Sequence, residues 1–408
     1  SLSLSWTRGN GSYCIVVLRA GGPVITPPAD GIAYTANAIY GLGSTTGTGD
    51  FVVYSGTGIS VTVNGLMPGS TYYASVFEMS GTGCNTNYYI PGTWATASGI
   101  TNVVSSYNYY FGTLHSHSYY SDGDVDAVCP GAGSPTCVYT IGDGALNFDF
   151  QGISDHNHNE GPNMTPAYYA SGWSEAVAYT RSTFAALYGM EWGTISTGGH
   201  ATVYGIDKLL GWNTGNYNIY IAKGDYNSLF NYVASQPNAF STLCHPNSND
   251  YGNLANIAYN ATWDNAIVGC AVRNGPAFST NSTYTDPSTS TFVSYWQKLL
   301  AMGYHLGPTE DMDNHYSATT GKSSQERTVV LATSLSPASV MDAYLNMRFY
   351  ATDDYNLRID MKVNGQFPMG SIVAQNGNPT ITVSATDPDG ETISSIKIYY
   401  GVPGSNTL

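Results

Sequence analysis

Residues 111–123, FGTLHSHSYYSDG, run from a short apolar stretch into a His-Ser-His pair and then an acidic turn. In an extended strand, side chains two positions apart face the same side. His115 and His117 can therefore reach one metal ion from the end of that strand, and Asp122 follows five residues later. Working outward, the pattern recurs. FDFQGISDHN (148–157) ends on Asp155 and His156, with His158 just beyond, and YGMEW (188–192) carries Glu191. His200 opens the run ATVYGI (201–206), and His245 closes FSTLC (240–244). HLGPTEDMDNH (305–315) ends on Asp313 and His315, again two apart. A lone histidine such as His200 or His245 reads as a hydrogen-bonded core residue. Two spaced pairs plus four further groups at strand ends read as ligands.

Between these runs lie segments with helical spacing at 173–189, 225–236, 291–303 and 336–351. Strand alternating with helix argues for an α/β barrel or a wound sheet. In α/β barrels the chemistry lies at the carboxyl ends of the strands, where these His and acidic residues fall.

On either side the character changes. Residues 1–100 show short strands between Gly, Pro and Asn turns: LSLSWT, YCIVVLRA, DFVVYS, ISVTVNGL and TYYASVFEM. Their spacing predicts a small β-sandwich. LMPGSTYYASVFE resembles the fibronectin type III pattern, which implies a tyrosine corner from Leu66, Pro68 and Tyr72 and a core Trp6. GLGSTTGTGD (41–50) lacks the Lys of a phosphate loop and reads as a turn. Residues 101–363 form the α/β region. Residues 364–408 return to β, with ITVSATDPDG and ISSIKIYY as two strands of a short, incomplete sandwich.

The formal net charge is −15, with only 13 Lys plus Arg. So few cations exclude a basic face for nucleic acid and argue against an anionic membrane partner. No run approaches the ~20 apolar residues of a membrane helix, so no membrane insertion is expected. The six cysteines form no CxxC pair, and their even number permits three disulfides. One connectivity joins Cys14 to Cys84, Cys129 to Cys137 and Cys244 to Cys270. Disulfides place the chain in an oxidising compartment: secreted, periplasmic or on a bacterial cell surface.

LHSHSYYSDG resembles the first motif of the PHP (polymerase and histidinol phosphatase) family, HxHS followed by SDG. SDHN resembles the second motif, GMEW the third, GH and CHPN the middle histidines and DNH the last, in the family's order over residues 111–315. The tail DAYLNMRFYATDDYNLRIDMKVNGQFPMGS is similar to the CehA/McbA-type branch. The resemblance implies a distorted (β/α)7 barrel with a trinuclear metal site. One ion would take His115, His117, Glu191 and Asp313. A second would share Glu191 and add His200 and His245. A third would take Asp122, His156 and His315. Some relatives carry His where this chain has Asp122, and others Glu where it has Ala271. His158 reads as a neighbour of the ligands, Asp155 as the group orienting His156, and His305 as remote. Arg273 and Asn274 follow a strand and are candidates to touch a substrate oxygen.

Imidazole and carboxylate donors suit Zn first, with Mn or Fe as the others. Such a set needs two or three divalent ions. Ions of this kind lower the pKa of bound water towards ~7. The resulting hydroxide would attack phosphorus, with Glu191 or Asp313 passing the proton onward. The expectation is a secreted metal-dependent phosphoesterase acting on small phosphodiesters or phosphomonoesters, with phosphotriesters as promiscuous substrates. An aryl carbamate, ester or amide hydrolase on the same site is the alternative. A non-catalytic cell-surface binding protein is the second. No GxSxG elbow is present, and Cys244 reads as a disulfide partner rather than a nucleophile.

Overall fold

The computed structural model describes all residues except 67–68, 93, 95, 102–105, 130–133, 159–163, 276, 279, 281–282, 284–288, 318–325, 374–376 and 406–408. The chain forms two compact units. One is Ser1–Ser106 with Val363–Phe367 and Ser371–Thr380; the other is Tyr107–Lys362 with Pro368–Gly370 and Ile381–Leu408. Residues 364–408 thus divide between the two units.

In the first unit the strand Tyr13–Ala20 lies between Asp50–Gly56 and Thr71–Ser80, antiparallel to both. Its alternation decides the layers. Ile15 and Val17 enter one core with Val52 and Phe77, whereas Val16 and Leu18 enter another with Val53, Val63 and Tyr72. A two-stranded ribbon, Leu2–Ser5 with Ser60–Val63, covers the second core through Leu2, Leu4 and Val61. Both faces of this strand are thus covered, and Cys14–Leu18 are buried without interruption. Tyr72 is buried and packs edge-on to Tyr40, with ring centroids 5.0 Å apart. Pro68 of the expected tyrosine corner lies outside the described residues. Trp6 packs on Tyr54 at 5.0 Å. The expected Cys14–Cys84 disulfide does not form: Cys14 is buried in its strand, and Cys84 is exposed.

The second unit is built on nine strands: β1 (Asn108–Thr113), β2 (Phe150–His156), β3 (Ala185–Thr194), β4 (Gly199–Tyr204), β5 (Phe240–Cys244), β6 (Ile267–Asn274), β7 (Gly307–Asp311), β8 (Arg327–Ala332) and β9 (Phe349–Thr352). Their order is β7-β6-β5-β4-β3-β2-β1-β8-β9. The curled sheet nearly closes, because β7 comes back against β8 and β9. That seam has no ladder. The Thr328 hydroxyl accepts from the Glu310 N–H at 2.8 Å and donates to the Glu310 carbonyl at 3.1 Å. A Cβ at Gly307 would lie 2.6 Å from the Phe349 ring, so glycine is what lets the two edges approach.

Regular (β/α)7 repetition is not what the sheet displays. β4 runs antiparallel to both neighbours, and β8 runs antiparallel to β1 and β9. β3 and β4 are joined through the short turn Ile195–Thr197. The expected helix at 173–189 ends at Tyr179, and β3 starts at Ala185. Every residue of β3 is buried, so both faces read apolar and the period of two that would mark a strand is lost. The segment 336–351 likewise splits into a helix, Pro337–Leu345, and β9. ISSIKIYY (393–400) forms no strand, while Ile381–Thr386 pairs with Arg358–Val363.

Local signals fix the helix starts. Thr165 caps Pro166–Tyr179 and Ser336 caps Pro337–Leu345, each followed by proline in the first turn; Asp225 caps Tyr226–Ser235. Val340, Ala343 and Tyr344 of the helix Pro337–Leu345 pack with Phe150, Ala185, Phe240 and Val268, from the first residues of β2, β3, β5 and β6. That helix plugs the amino-terminal end of the parallel strands and leaves the carboxyl end for chemistry.

The disulfide Cys129–Cys137 forms, while Cys244 and Cys270 are free and buried. They lie on the paired strands β5 and β6, but the register sets Cys270 opposite Leu243. One step along a strand reverses the face, so the two thiols point to opposite sides and the expected bridge is absent.

Candidate metal centre

The sequence-predicted ligands meet at the carboxyl edge of the sheet. His115 and His117 follow β1, and the parallel bridge Ser116↔Asn314 locks their segment to that of Asp313 and His315. His156 ends β2 in register with Glu191 of β3. His200 lies near the start of β4, and the antiparallel course of that strand brings its start to the same edge, opposite Cys244. His245 comes directly after β5, and Asp122 stands on the turn beyond His117.

Glu191, fully buried, is the hub. Its Oε1 lies 3.1 Å from His115 Nε2, 3.0 Å from His200 Nδ1 and 3.2 Å from His245 Nε2. Its Oε2 lies 3.3 Å from His117 Nε2 and 3.1 Å from His156 Nδ1. Asp313 Oδ1 stands 3.4 Å from His115 Nε2 and 3.2 Å from His117 Nε2. Asp122 faces His315 Nε2 at 3.4 Å and His156 Nε2 at 3.6 Å.

Donor atoms within 4.8 Å of one another group as His115, His117, Glu191 and Asp313; as Glu191, His200 and His245; and as His117, Asp122, His156 and His315. Several of these buried atoms have no hydrogen-bond partner: His115 Nε2, His117 Nδ1, His156 Nδ1, His315 Nε2 and Glu191 Oε2. His156 Nδ1 and Glu191 Oε2 are 3.1 Å apart but out of hydrogen-bonding alignment. Buried polar atoms are ordinarily satisfied. Unsatisfied lone pairs converging on common points fit shared cations. Two of the residues also take positive φ, His245 at 32° and Asp313 at 51°, a conformation uncommon for non-glycine residues.

Electrostatics agree. Burial opposes charge on Glu191, yet His200, His115 and His156 hold its carboxyl well below the usual range. Burial also opposes charge on Asp122 and Asp313, and the imidazoles of His315 and His115, respectively, lead the groups that hold them down. For His117, burial disfavours the imidazolium, but the Asp313 hydrogen bond and the nearby Glu191 carboxylate push it up to about 10. His156 is held well below its ordinary value, chiefly by burial.

The surrounding groups differ in part from expectation. Asp155 does not orient His156. It accepts from Ser118 N–H (2.7 Å), Ser118 Oγ (2.6 Å), Ser121 Oγ (2.8 Å) and Tyr188 OH (2.7 Å), fixing the turn that carries Asp122. Arg273 is not brought to the cluster: it forms a two-point ion pair with Asp353, at 2.7 and 3.1 Å. Asn274 does reach it, donating from Nδ2 to Asp313 Oδ2 at 3.2 Å. His158 groups with His156 and His200 and stacks on Trp212, centroids 5.5 Å apart. His305 precedes β7 and pairs with Asp264 at 2.7 Å. Cys244, expected in a disulfide, lies instead beside His115 and Asp311. Sequence reasoning missed Asp311, which stands 3.1 Å from His115 Nδ1. Its signal was present: it is two residues before Asp313, at the end of a strand.

A scan against protein-family models and a search of curated proteins return no match. Among solved structures, the chain is similar to the crystal structure of a two-domain protein containing a predicted PHP-like metal-dependent phosphoesterase from Bacteroides vulgatus. The identity is 17% and the TM-score 0.41, over 61% of this chain and 66% of that one, slightly under two thirds of its length.

Proposed function

We infer that the protein is a metal-dependent phosphoesterase of small phosphodiesters or phosphomonoesters. The observation that carries this reading is Glu191, a buried carboxylate enclosed by five imidazoles at 3.0–3.3 Å, with a different set at each oxygen. A carboxylate so placed suits a bridge between two cations. The assignment follows the groupings: His115, His117, Glu191 and Asp313 for one ion; Glu191, His200 and His245 for a second; Asp122, His156 and His315 for a third. Zn is the first candidate, with Mn or Fe as the others. Bound there, divalent ions would activate water as the nucleophile and neutralise charge on the ester oxygens.

The chain's own groups then have defined tasks. Glu191 ties the two halves of the site together. Asn274 holds Asp313 Oδ2, which turns Oδ1 towards His115 and His117. Of the two carboxylates expected to pass a proton onward, Glu191 is enclosed at both oxygens and Asp313, 8% exposed, is the more accessible. Asp155 keeps the Asp122 turn in place from beneath. The disulfide supports an oxidising compartment, outside the cytoplasm. No helix among the described residues is long and apolar enough to cross a membrane.

Hydrolysis of bis(p-nitrophenyl) phosphate by Zn- or Mn-loaded protein tests the reading, with His115→Ala as the control. Turnover that the variant loses supports it. Stoichiometric metal with hydrolysis of an aryl carbamate but no phosphoester would move the reaction to the carbamate alternative. Metal without turnover of any ester would favour a binding protein.

A further inference from the structure

Two large apolar side chains stand exposed beside the metal ligands. Phe278 is 60% exposed and Val125 is 50% exposed. Both are tied to His315 through the backbone: the His315 N–H donates to the Ala277 carbonyl at 2.9 Å, and the Val125 N–H donates to the His315 carbonyl at 3.0 Å. The Phe278 ring stacks on the His315 imidazole with centroids 3.9 Å apart and planes 24° from parallel. One face of the ring is thus covered by a ligand side chain, and its exposure leaves the rest open.

The segment bearing Phe278 is fixed to the strand that supplies Asp313 and His315. The Gly275 N–H donates to the Asp311 carbonyl at 2.6 Å, and Asn274 holds Asp313. A Cβ at residue 275 would fall 2.3 Å from the Met312 carbonyl oxygen, so only glycine permits this close approach. Phe278 is therefore held in register with His315, whose Nε2 faces Asp122 at 3.4 Å.

Building on the phosphoester reading, we propose that Phe278 is a specificity platform that binds an aryl substituent of the substrate. An open aromatic face prefers a second ring in offset or edge-on contact, and covering it removes apolar area from water. The headgroup lies at the metal donors and the ring on Phe278. The platform acts on binding, and no bond is made or broken there.

Calorimetric titration of metal-loaded protein with phenylphosphonate and with methylphosphonate tests this, because the two ligands share a headgroup. Phenylphosphonate is expected to bind roughly tenfold tighter, about 1.4 kcal/mol. Phe278→Ala should abolish that preference while leaving methylphosphonate affinity and metal content unchanged, and Phe278→Trp should retain it. The platform is overturned if the parent shows no preference, if Phe278→Ala keeps it, or if the variant weakens both ligands equally, which would mean Phe278 only steadies His315. Failure of both phosphonates to bind metal-loaded protein would sink the phosphoester reading, and the platform with it.

Discussion

His115 Nδ1 lies 3.1 Å from Asp311 Oδ2, on the side of the ring turned away from Glu191. The opposite nitrogen, Nε2, faces Glu191 and Asp313. A carboxylate in this position fixes the tautomer with the proton on Nδ1, frees the Nε2 lone pair for a metal and raises its basicity. Asp311→Ala is therefore expected to weaken metal affinity by roughly 10- to 100-fold without deleting a ligand. Competition against a chelator of known affinity measures this; unchanged affinity would remove Asp311 from the site.

Glu191 touches both halves of the ligand set, so its loss should cost more than one ion. Glu191→Gln keeps the shape but gives up the charge that balances the surrounding imidazoles. Metal analysis after dialysis should show a lower stoichiometry for this variant than for His245→Ala, a residue assigned above to the second ion alone. Equal stoichiometries would count against a bridging role.

Metal uptake should also release protons. Without metal, Asp313 and Glu191 push the His117 imidazole up to about 10, so at neutral pH it should carry a proton that a cation must displace. Calorimetry in two buffers of different ionisation enthalpy should show at least about one proton released at pH 7, and affinity should rise with pH. Binding with no buffer dependence would mean that His117 stays outside the coordination.

Much of this site was legible because the chemistry falls at strand ends. His115/His117 and Asp313/His315 carry their geometry in their spacing, and the bridge Ser116↔Asn314 sets the two pairs side by side. Asp311 was passed over although it stands two residues before Asp313, the same spacing that marks the other pairs. Asp155 was misassigned for a related reason: adjacency to His156 suggested a contact, whereas neighbours in a strand face opposite ways. The sheet was harder to read. A strand buried on both faces, such as β3, has no alternation to mark it, and direction is not encoded locally, so the reversal at β4 was invisible. Register was equally hidden, and it alone separates Cys244 from Cys270.

Thiol chemistry should report that register. Among the free cysteines, Cys84 is exposed while Cys14, Cys244 and Cys270 are buried. Burial pushes the Cys244 and Cys270 thiols well above their ordinary range, which further suppresses thiolate. A thiol reagent should label Cys84 in the native protein and all four residues after unfolding without reductant. Labelling of only Cys14 and Cys84 in the unfolded chain would show that Cys244 and Cys270 pair after all.

His305 offers a test of fold stability away from the metal ligands. Its backbone N–H and Nδ1 both meet the buried Asp264 carboxylate, at 2.6 and 2.7 Å, and Tyr259 OH donates to the same group at 2.8 Å. The Asp264 hydrogen bond raises the His305 pKa, and burial opposes it only in part. A group whose folded pKa exceeds its unfolded value stabilises fully below the unfolded value, near 6.5, and that contribution is lost as pH rises through the folded value. The difference in Tm between the parent and His305→Gln, both stripped of metal by chelator, should therefore be largest near about pH 5.5 and shrink towards about pH 9. Chelation matters here, because the six histidines proposed as ligands would otherwise impose their own pH dependence through metal release. A difference that stays flat across this range would show that His305 contributes through its packing and backbone bond rather than through its charge.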